Sequence, residues 1–279
     1  MTHAGTAPAS ARPEKPRPSL VLPLGVVAFL AITWVSLSEQ FGIGLDVGQL
    51  IADITRGGGI LIRDAENAGQ RGLLQPNWAF LPQTVEPMLE TFRMAVLASV
   101  IGCSVALPVA FLASRVTSPN LATYLVDRSI LSVIRAIPDF LYAIIFVAAV
   151  SIGPLPGIAA LVLFNIGVVA KLQSETIDGI DLGPIEAARA AGGTRIQTVR
   201  WAALPQVLPN YVAYSLYTFE LNIRASTVLG IVGAGGIGRL LYREYKFFNW
   251  ANVSVIVVEL FVFVFIIELV SITLRRRLV

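Results

Sequence analysis

Charge, cysteine and histidine are scarce in this chain. Only 14% of its 279 residues are Asp, Glu, Lys or Arg, against about 25% in an ordinary globular domain, so water is not the natural solvent for most of its surface. The one cysteine, Cys103, lies inside an apolar run, and the one histidine, His3, lies near the amino terminus. A lone cysteine builds no disulfide or thiol-metal framework within the chain, and neither a bound metal nor histidine-based catalysis is expected. A G-x-x-x-x-G-K-[ST] phosphate loop is also missing, so the chain is not itself an ATPase, and no cofactor is expected in it. Gly233-x-Gly235-x-x-Gly238 matches a dinucleotide-binding pattern, but it follows an apolar span where that pattern requires a strand, and it reads as a glycine-rich turn. Nothing points to a nucleic-acid partner.

What is present is hydrocarbon. Apolar residues make up 55% of the chain, and the mean hydropathy is +0.72. A helix crossing about 30 Å of lipid at about 1.5 Å per residue needs roughly twenty apolar residues. Runs of that kind lie at about 20–37, 88–112, 129–150, 154–174, 207–231 and 253–274, predicting an all-α membrane protein of about six transmembrane helices. The third and fourth runs are separated at Gly153-Pro154-Leu155-Pro156-Gly157, where consecutive Pro and Gly favour a tight hairpin.

Lys and Arg set the orientation. With both termini cytoplasmic, eleven fall inside, six outside and four within spans. Arg239, Arg243 and Lys246, in a short outer loop, run against the bias. Residues 1–19 read as a disordered cytoplasmic tail, 20–38 as a retained first helix and 86–279 as a core of five spans. Residues 39–85 carry alternating apolar and charged positions, compatible with an external amphipathic linker on the membrane or with a solvated loop.

The loop at 178–206 is the most informative. Pro184 suits the first turn of a helix, Glu186 places negative charge near its positive end, and Gly192-Gly193 supplies a stop. Thr194 with Gln197 forms a capping-box pattern for a second short helix, expected to stop before Pro205. Ala187, Ala188, Ala190 and Ala191 allow close approach of another backbone. By spacing alone this is either a docking surface or an ordinary cytoplasmic loop with some helix.

Glu186-Ala187-Ala188, then Gly192, then Leu204-Pro205, resembles the EAA loop of binding-protein-dependent ABC permeases, with Ala202 where that family usually has isoleucine. Longer strings, Arg135-Ala136-Ile137-Pro138-Asp139, the run from Phe219 to Gly230, Val232 to Gly238, and Leu274-Arg275-Arg276-Arg277-Leu278, are similar to the phosphonate permeases over about residues 84–279. The resemblance implies a type I ABC importer permease fold. It also implies that Glu186, Ala187, Ala188, Gly192, Leu204 and Pro205 couple the chain to a separate ATPase holding ATP and Mg2+. The implied assembly is two copies of this chain, two ATP-binding cassette subunits and an external substrate-binding protein, in the cytoplasmic membrane and in contact with its lipid. The implied cargo is a phosphonate anion, with phosphate, phosphite or another small oxyanion as the alternative. An ion-gradient-driven secondary transporter is the reading from another class; it would need no ATPase, and the internal helix repeat common in such transporters is not displayed by the sequence.

Ionisable residues inside spans are expensive in hydrocarbon and mark partners or aqueous routes. Glu220 and Arg224, four apart in the fifth span, share a helix face. They are either a structural ion pair or a pathway site in which Arg224 helps an anionic headgroup through, and Asn222 beside them bonds either a helix or cargo. Arg135 with Asp139 and Lys171 with Glu175 repeat the spacing nearer the cytoplasm, as structural pairs or as the lining of an inner mouth. Glu259 and Glu268 in the sixth span have no basic residue at helical spacing.

Overall fold

The computed structural model describes residues 21–37 and 74–276, and internal contacts divide the chain into two units, Met1–Gly59 and Ile60–Val279. Every regular element among the described residues is helical. In the first unit, α1 (Val21–Leu37) carries no charged side chain, and Leu24, Phe29, Leu30 and Ile32 are exposed. Its Thr33 hydroxyl donates to the Phe29 carbonyl at 2.8 Å and is satisfied within the helix. Its 17 residues reach about 25 Å, at the short end of what crosses a bilayer. The expected tail at 1–19 and the linker from 39 to 73 lie outside the described residues.

In the second unit a 3-10 turn at Trp78–Phe80 leads into α2 (Leu81–Leu112), which starts seven residues before the apolar run read from sequence. Two prolines, Pro87 and Pro108, sit inside α2. A proline without an N–H leaves the carbonyl four residues earlier without its helical donor, which membrane helices tolerate; on the C-terminal side of Pro87 the Thr91 hydroxyl donates to the Pro87 carbonyl at 3.1 Å.

The run read as one third span is two helices, α3 (Leu121–Ala136) and α4 (Asp139–Val150), meeting at 86°. Pro138 disfavours helical geometry at the residue before it, and Ile137 is extended at φ −94°, ψ 124°. Asp139 then closes the start of α4 by accepting the Phe140 N–H at 2.8 Å.

The hairpin after α4 forms, but one step earlier than expected. It occupies residues 151–153, with Ser151 at φ 99° and Gly153 N–H donated to the Gly233 carbonyl at 3.0 Å. Pro154 opens α5 (Pro154–Asp178), so Pro156 and Gly157 lie in its first turn and break nothing. Gly157 serves packing instead: a Cβ there would lie 2.5 Å from Met94 Cε and 2.7 Å from the Ala234 carbonyl oxygen. Helix α5 is the central element, packed along α2 and against α8, α4 and α3.

Two short helices follow, α6 (Gly183–Ala190) and α7 (Arg195–Thr198). Helix α7 does not stop before Pro205. It widens into a π turn at Val199–Ala203 and continues as α8 (Leu204–Ile231). Pro205 has no N–H to give the Trp201 carbonyl, and the Leu204 N–H reaches back to Val199, which is the wider ring of a π turn. The region expected to be a short loop after the fifth span holds a further helix, α9 (Gly236–Lys246), before α10 (Trp250–Arg275). Helices α8 and α9 touch backbone to backbone, because a Cβ on Gly230 would lie 2.5 Å from the Gly238 Cα. Those glycines are therefore a helix-helix contact, consistent with small-residue packing in membranes.

Among the described residues, three stretches are long and apolar enough to cross a membrane: α2 with its preceding turn, α5 and α10. The bent pairs α3 with α4 and α7–α8 with α9 raise the number to five if each is one span.

Candidate functional site

The α6–α7 element is anchored by its inner face. Ile185 is buried against Ala202 and Ala203, with Phe111, Val116 and Ile180 around them. Pro184 lies in the first turn of α6 and Glu186 is the acidic residue of that turn. Gly192 takes φ +80°, a conformation that favours glycine and ends the helix. The Gly193 N–H returns to the Ala188 carbonyl at 3.0 Å. Both halves of the capping box form: Thr194 Oγ1 accepts the Gln197 N–H and Gln197 Oε1 accepts the Thr194 N–H at 2.8 Å.

The outward side of this element carries Glu186, Ala187 and Ala190, all exposed, while Ala188 and Leu204 are half-buried and Pro205 is exposed. Two large apolar side chains missed by sequence reasoning are also exposed here: Ile196 at 80% and Trp201 at 71%. The Arg200 guanidinium lies 5.3 Å from the Trp201 ring centroid. Another residue whose role was not read from sequence is Gln206. Its Nε2 donates to the Asp181 and Ala202 carbonyls at 3.2 and 2.8 Å, and its Oε1 accepts the Asp181 N–H at 3.1 Å. That amide ties the segment leading into α6 to the first turn of α8.

Where α5 ends, Lys171 pairs with Glu175 at 2.6 Å, as the spacing predicted. The pair belongs to a wider network. Arg128 lies 3.9 Å from Glu175 and 3.5 Å from Asp178. Asp178 Oδ1 accepts the Ser114 hydroxyl and the Arg115 N–H, both at 2.7 Å. Arg115 and Arg128 both donate to the Tyr124 hydroxyl, and that bond raises the Arg115 guanidinium further above its ordinary range. The network joins α5, α3 and the loop after α2, which supports a structural role for Lys171 and Glu175. Arg135 and Asp139 do not form the expected pair. The bend at Pro138 falls between them, so helical four-residue spacing does not apply, and the carboxylate of Asp139 is occupied by the Phe140 N–H.

Glu220 is the one acid of α8, with its side chain 6% exposed. One oxygen engages Arg224 of the same helix. The other accepts from Arg275 Nη2 at 3.4 Å, so the pair is a triad of two cations on one anion. Arg275, just past the sixth apolar run in the sequence, lies in the last turn of α10. Arg224 is 50% exposed and Arg275 31%. Asn222 does not sit beside this triad. It is fully buried, donates to Ser99 Oγ at 2.7 Å, and so bonds α2; two helix positions are about 200° of rotation, which puts it on the far side from Arg224. Its Oδ1 and that of Asn165 are buried without hydrogen-bond partners, as is Glu259 Oε2 on α10, while Glu268 is exposed. A groove of about 370 Å³ between α2 and α8 is lined by Ser99, Ser104, Tyr211, Ser215 and Phe219. Among the described residues no group of His, Cys, Asp and Glu is arranged to hold a metal.

Comparison with known proteins identifies the architecture. Residues 106–279 match the family described as the inner membrane component of binding-protein-dependent transport systems. A phosphate-import permease protein of Mycolicibacterium smegmatis is 43% identical over 190 residues, covering 68% of this chain and 36% of that protein. A phosphite transport system permease protein of Stutzerimonas stutzeri is 38% identical over 204 residues, covering 73% of this chain and 74% of that one. The chain thus spans about a third of the first relative and three quarters of the second. Among solved structures, an inward-facing conformation of the MetNI methionine ABC transporter superposes with a TM-score of 0.65 at 26% identity, covering 73% of this chain and 99% of that one.

Proposed function

We propose that this chain, which belongs to the family of inner membrane components of binding-protein-dependent transport systems, is the permease through which an ATP-driven importer moves phosphonate anions inward. Phosphate and phosphite, named for the two relatives above, share the tetrahedral phosphorus oxyanion and are the alternative cargo. The observation that carries the anion reading is Glu220 held between Arg224 and Arg275. Two guanidiniums on one carboxylate leave one positive charge in excess, and a half-exposed arginine is too expensive to face lipid. An aqueous route or a second copy of the chain satisfies it. A strong permanent anion site would trap cargo, whereas arginines already engaged by Glu220 bind an oxyanion only by exchanging partners.

The working assembly is two copies of this chain on two ATP-binding cassette subunits, with an external binding protein delivering cargo and both termini cytoplasmic. ATP and Mg2+ act on the partner subunits; no covalent chemistry falls to this chain. Glu186, Ala187, Ala188 and Gly192, with Leu204 and Pro205 at the start of α8, form the coupling element. Its support is mechanical: α7 is continuous with α8 through the π turn, so displacement of the short helices moves the helix that carries Glu220 and Arg224.

The test is ATP-driven uptake of a phosphonate, phosphite and phosphate by the reconstituted complex, wild type against Arg224→Ala. Loss of uptake with assembly and ATPase association intact supports the reading. Unchanged uptake returns Arg224 to a structural role, and uptake that persists without any ATPase subunit favours the ion-gradient alternative.

A further inference from the structure

Three cations in this fold stand where topology disfavours them. Arg239, Arg243 and Lys246 lie on α9, on the side opposite the α6–α7 element by chain order, where the positive-inside bias predicts few basic residues. Their spacing of four and three places them on one helical face together with Tyr242, and all four side chains are exposed. The opposite face is fixed. Ile237 is buried and its N–H donates to Thr91 Oγ1 at 2.8 Å, and Gly238 has no room for a Cβ beside Thr227. The cationic face is therefore presented rigidly.

A groove of about 470 Å³ runs along that face, lined by the apolar Pro87, Leu240 and Phe247 together with all three cations. Cations set into a mostly apolar groove suit an amphiphile better than a small hydrated ion. The aromatic residues around it agree: Tyr245, Phe247 and Phe248 are exposed at the end of α9, in the manner of aromatic side chains at a membrane-water interface. Counter-ions within the protein are incomplete. Arg239 has Glu90 at 3.9 Å and Arg243 has Glu244 at 2.9 Å, while Lys246 has no acidic partner within 4.0 Å among the described residues. Three cations against two carboxylates leave one positive charge, which a phosphodiester neutralises.

We infer that the α9 groove binds the phosphate of an anionic phospholipid, with Arg239, Arg243 and Lys246 on the headgroup and Pro87, Leu240 and Phe247 against its glycerol and upper acyl carbons. This site is separate from the Glu220 triad and does not depend on which oxyanion is transported.

The test uses the full chain, purified with the subunits that accompany it and placed in nanodiscs of phosphatidylcholine and phosphatidylglycerol at 7:3. Bound lipid is counted by native mass spectrometry after transfer to detergent. Wild type should retain phosphatidylglycerol in preference to phosphatidylcholine, and Lys246→Gln should weaken that retention about fivefold. The triple variant Arg239→Gln, Arg243→Gln, Lys246→Gln should abolish the preference. Because the replaced side chains are exposed, the elution profile should not change; the charge-keeping triple Arg239→Lys, Arg243→Lys, Lys246→Arg should restore retention if the charges are what matters. Equal retention of both lipids by wild type, or phosphatidylglycerol retention unchanged in the glutamine triple, overturns the inference. So does displacement of wild-type phosphatidylglycerol by millimolar inorganic phosphate alone, which would assign the groove to a free oxyanion.

Discussion

Arg275 in the last turn of α10 donates to Glu220 in α8 at 3.4 Å, 55 positions back along the chain. That contact turns a local i,i+4 pair into a clamp between two helices.

Arg275→Ala should leave Glu220 with one partner. Removing one partner of a fully buried ion pair costs about 3–5 kcal/mol, but Arg275 is a third exposed, so screening brings the expected loss to about 1 kcal/mol. A small fall in the melting temperature of the detergent-solubilised protein, with a larger fall in uptake, is the expected outcome. A large loss of stability with normal uptake in the folded fraction would make the triad a structural tie.

Glu186→Lys places a positive charge at the positive end of α6, on its exposed surface. Uptake should fall at least about tenfold while the ATPase still hydrolyses ATP, because a charge reversal at a docking face costs several kcal/mol. Normal uptake would remove the α6–α7 element from coupling.

Pro205→Ala restores an N–H for the Trp201 carbonyl and removes the cause of the π turn. Relaxation to α geometry would rotate α6–α7 relative to α8 by about 100° per residue of register. The protein should fold, since Pro205 is exposed, but uptake should drop, and spin-label distances from residue 187 to residue 217 should shift. An unchanged distance distribution would mean that surrounding packing, not the proline, holds the π turn.

Gly238→Ala puts a methyl group 1.9 Å from the Thr227 carbonyl oxygen. Backbone cannot yield as a flexible side chain would, so the cost should be at the upper end of overpacking, about 3 kcal/mol or more. Thermal unfolding followed by fluorescence-detected size exclusion measures it. A melting temperature within a degree of wild type would show that α8 and α9 separate without penalty.

Much of the α6–α7 element was legible because its signals are local. Pro184, Glu186, Gly192 and the Thr194–Gln197 box act within one turn, and each does what its spacing predicts. The Lys171–Glu175 pair was legible for the same reason. Arg135 and Asp139 failed because one proline between them ended the helix on which the spacing argument relied. Ile196, Trp201 and Gln206 gave no periodic signal, and their importance comes from exposure or from carbonyls left open where α6, α7 and α8 meet.

By itself the sequence determined the solvent, the helical class, the approximate spans and the place of the loop between the fourth and fifth, since hydrophobic length and capping chemistry are written in consecutive residues. Only tertiary structure decided that Glu220 answers to two arginines, that Asn222 turns toward Ser99, and that the glycines after the fifth span seat a cationic helix against Thr227. Contacts between residues tens of positions apart depend on how helices rotate and cross, and a single chain's local pattern does not encode that rotation.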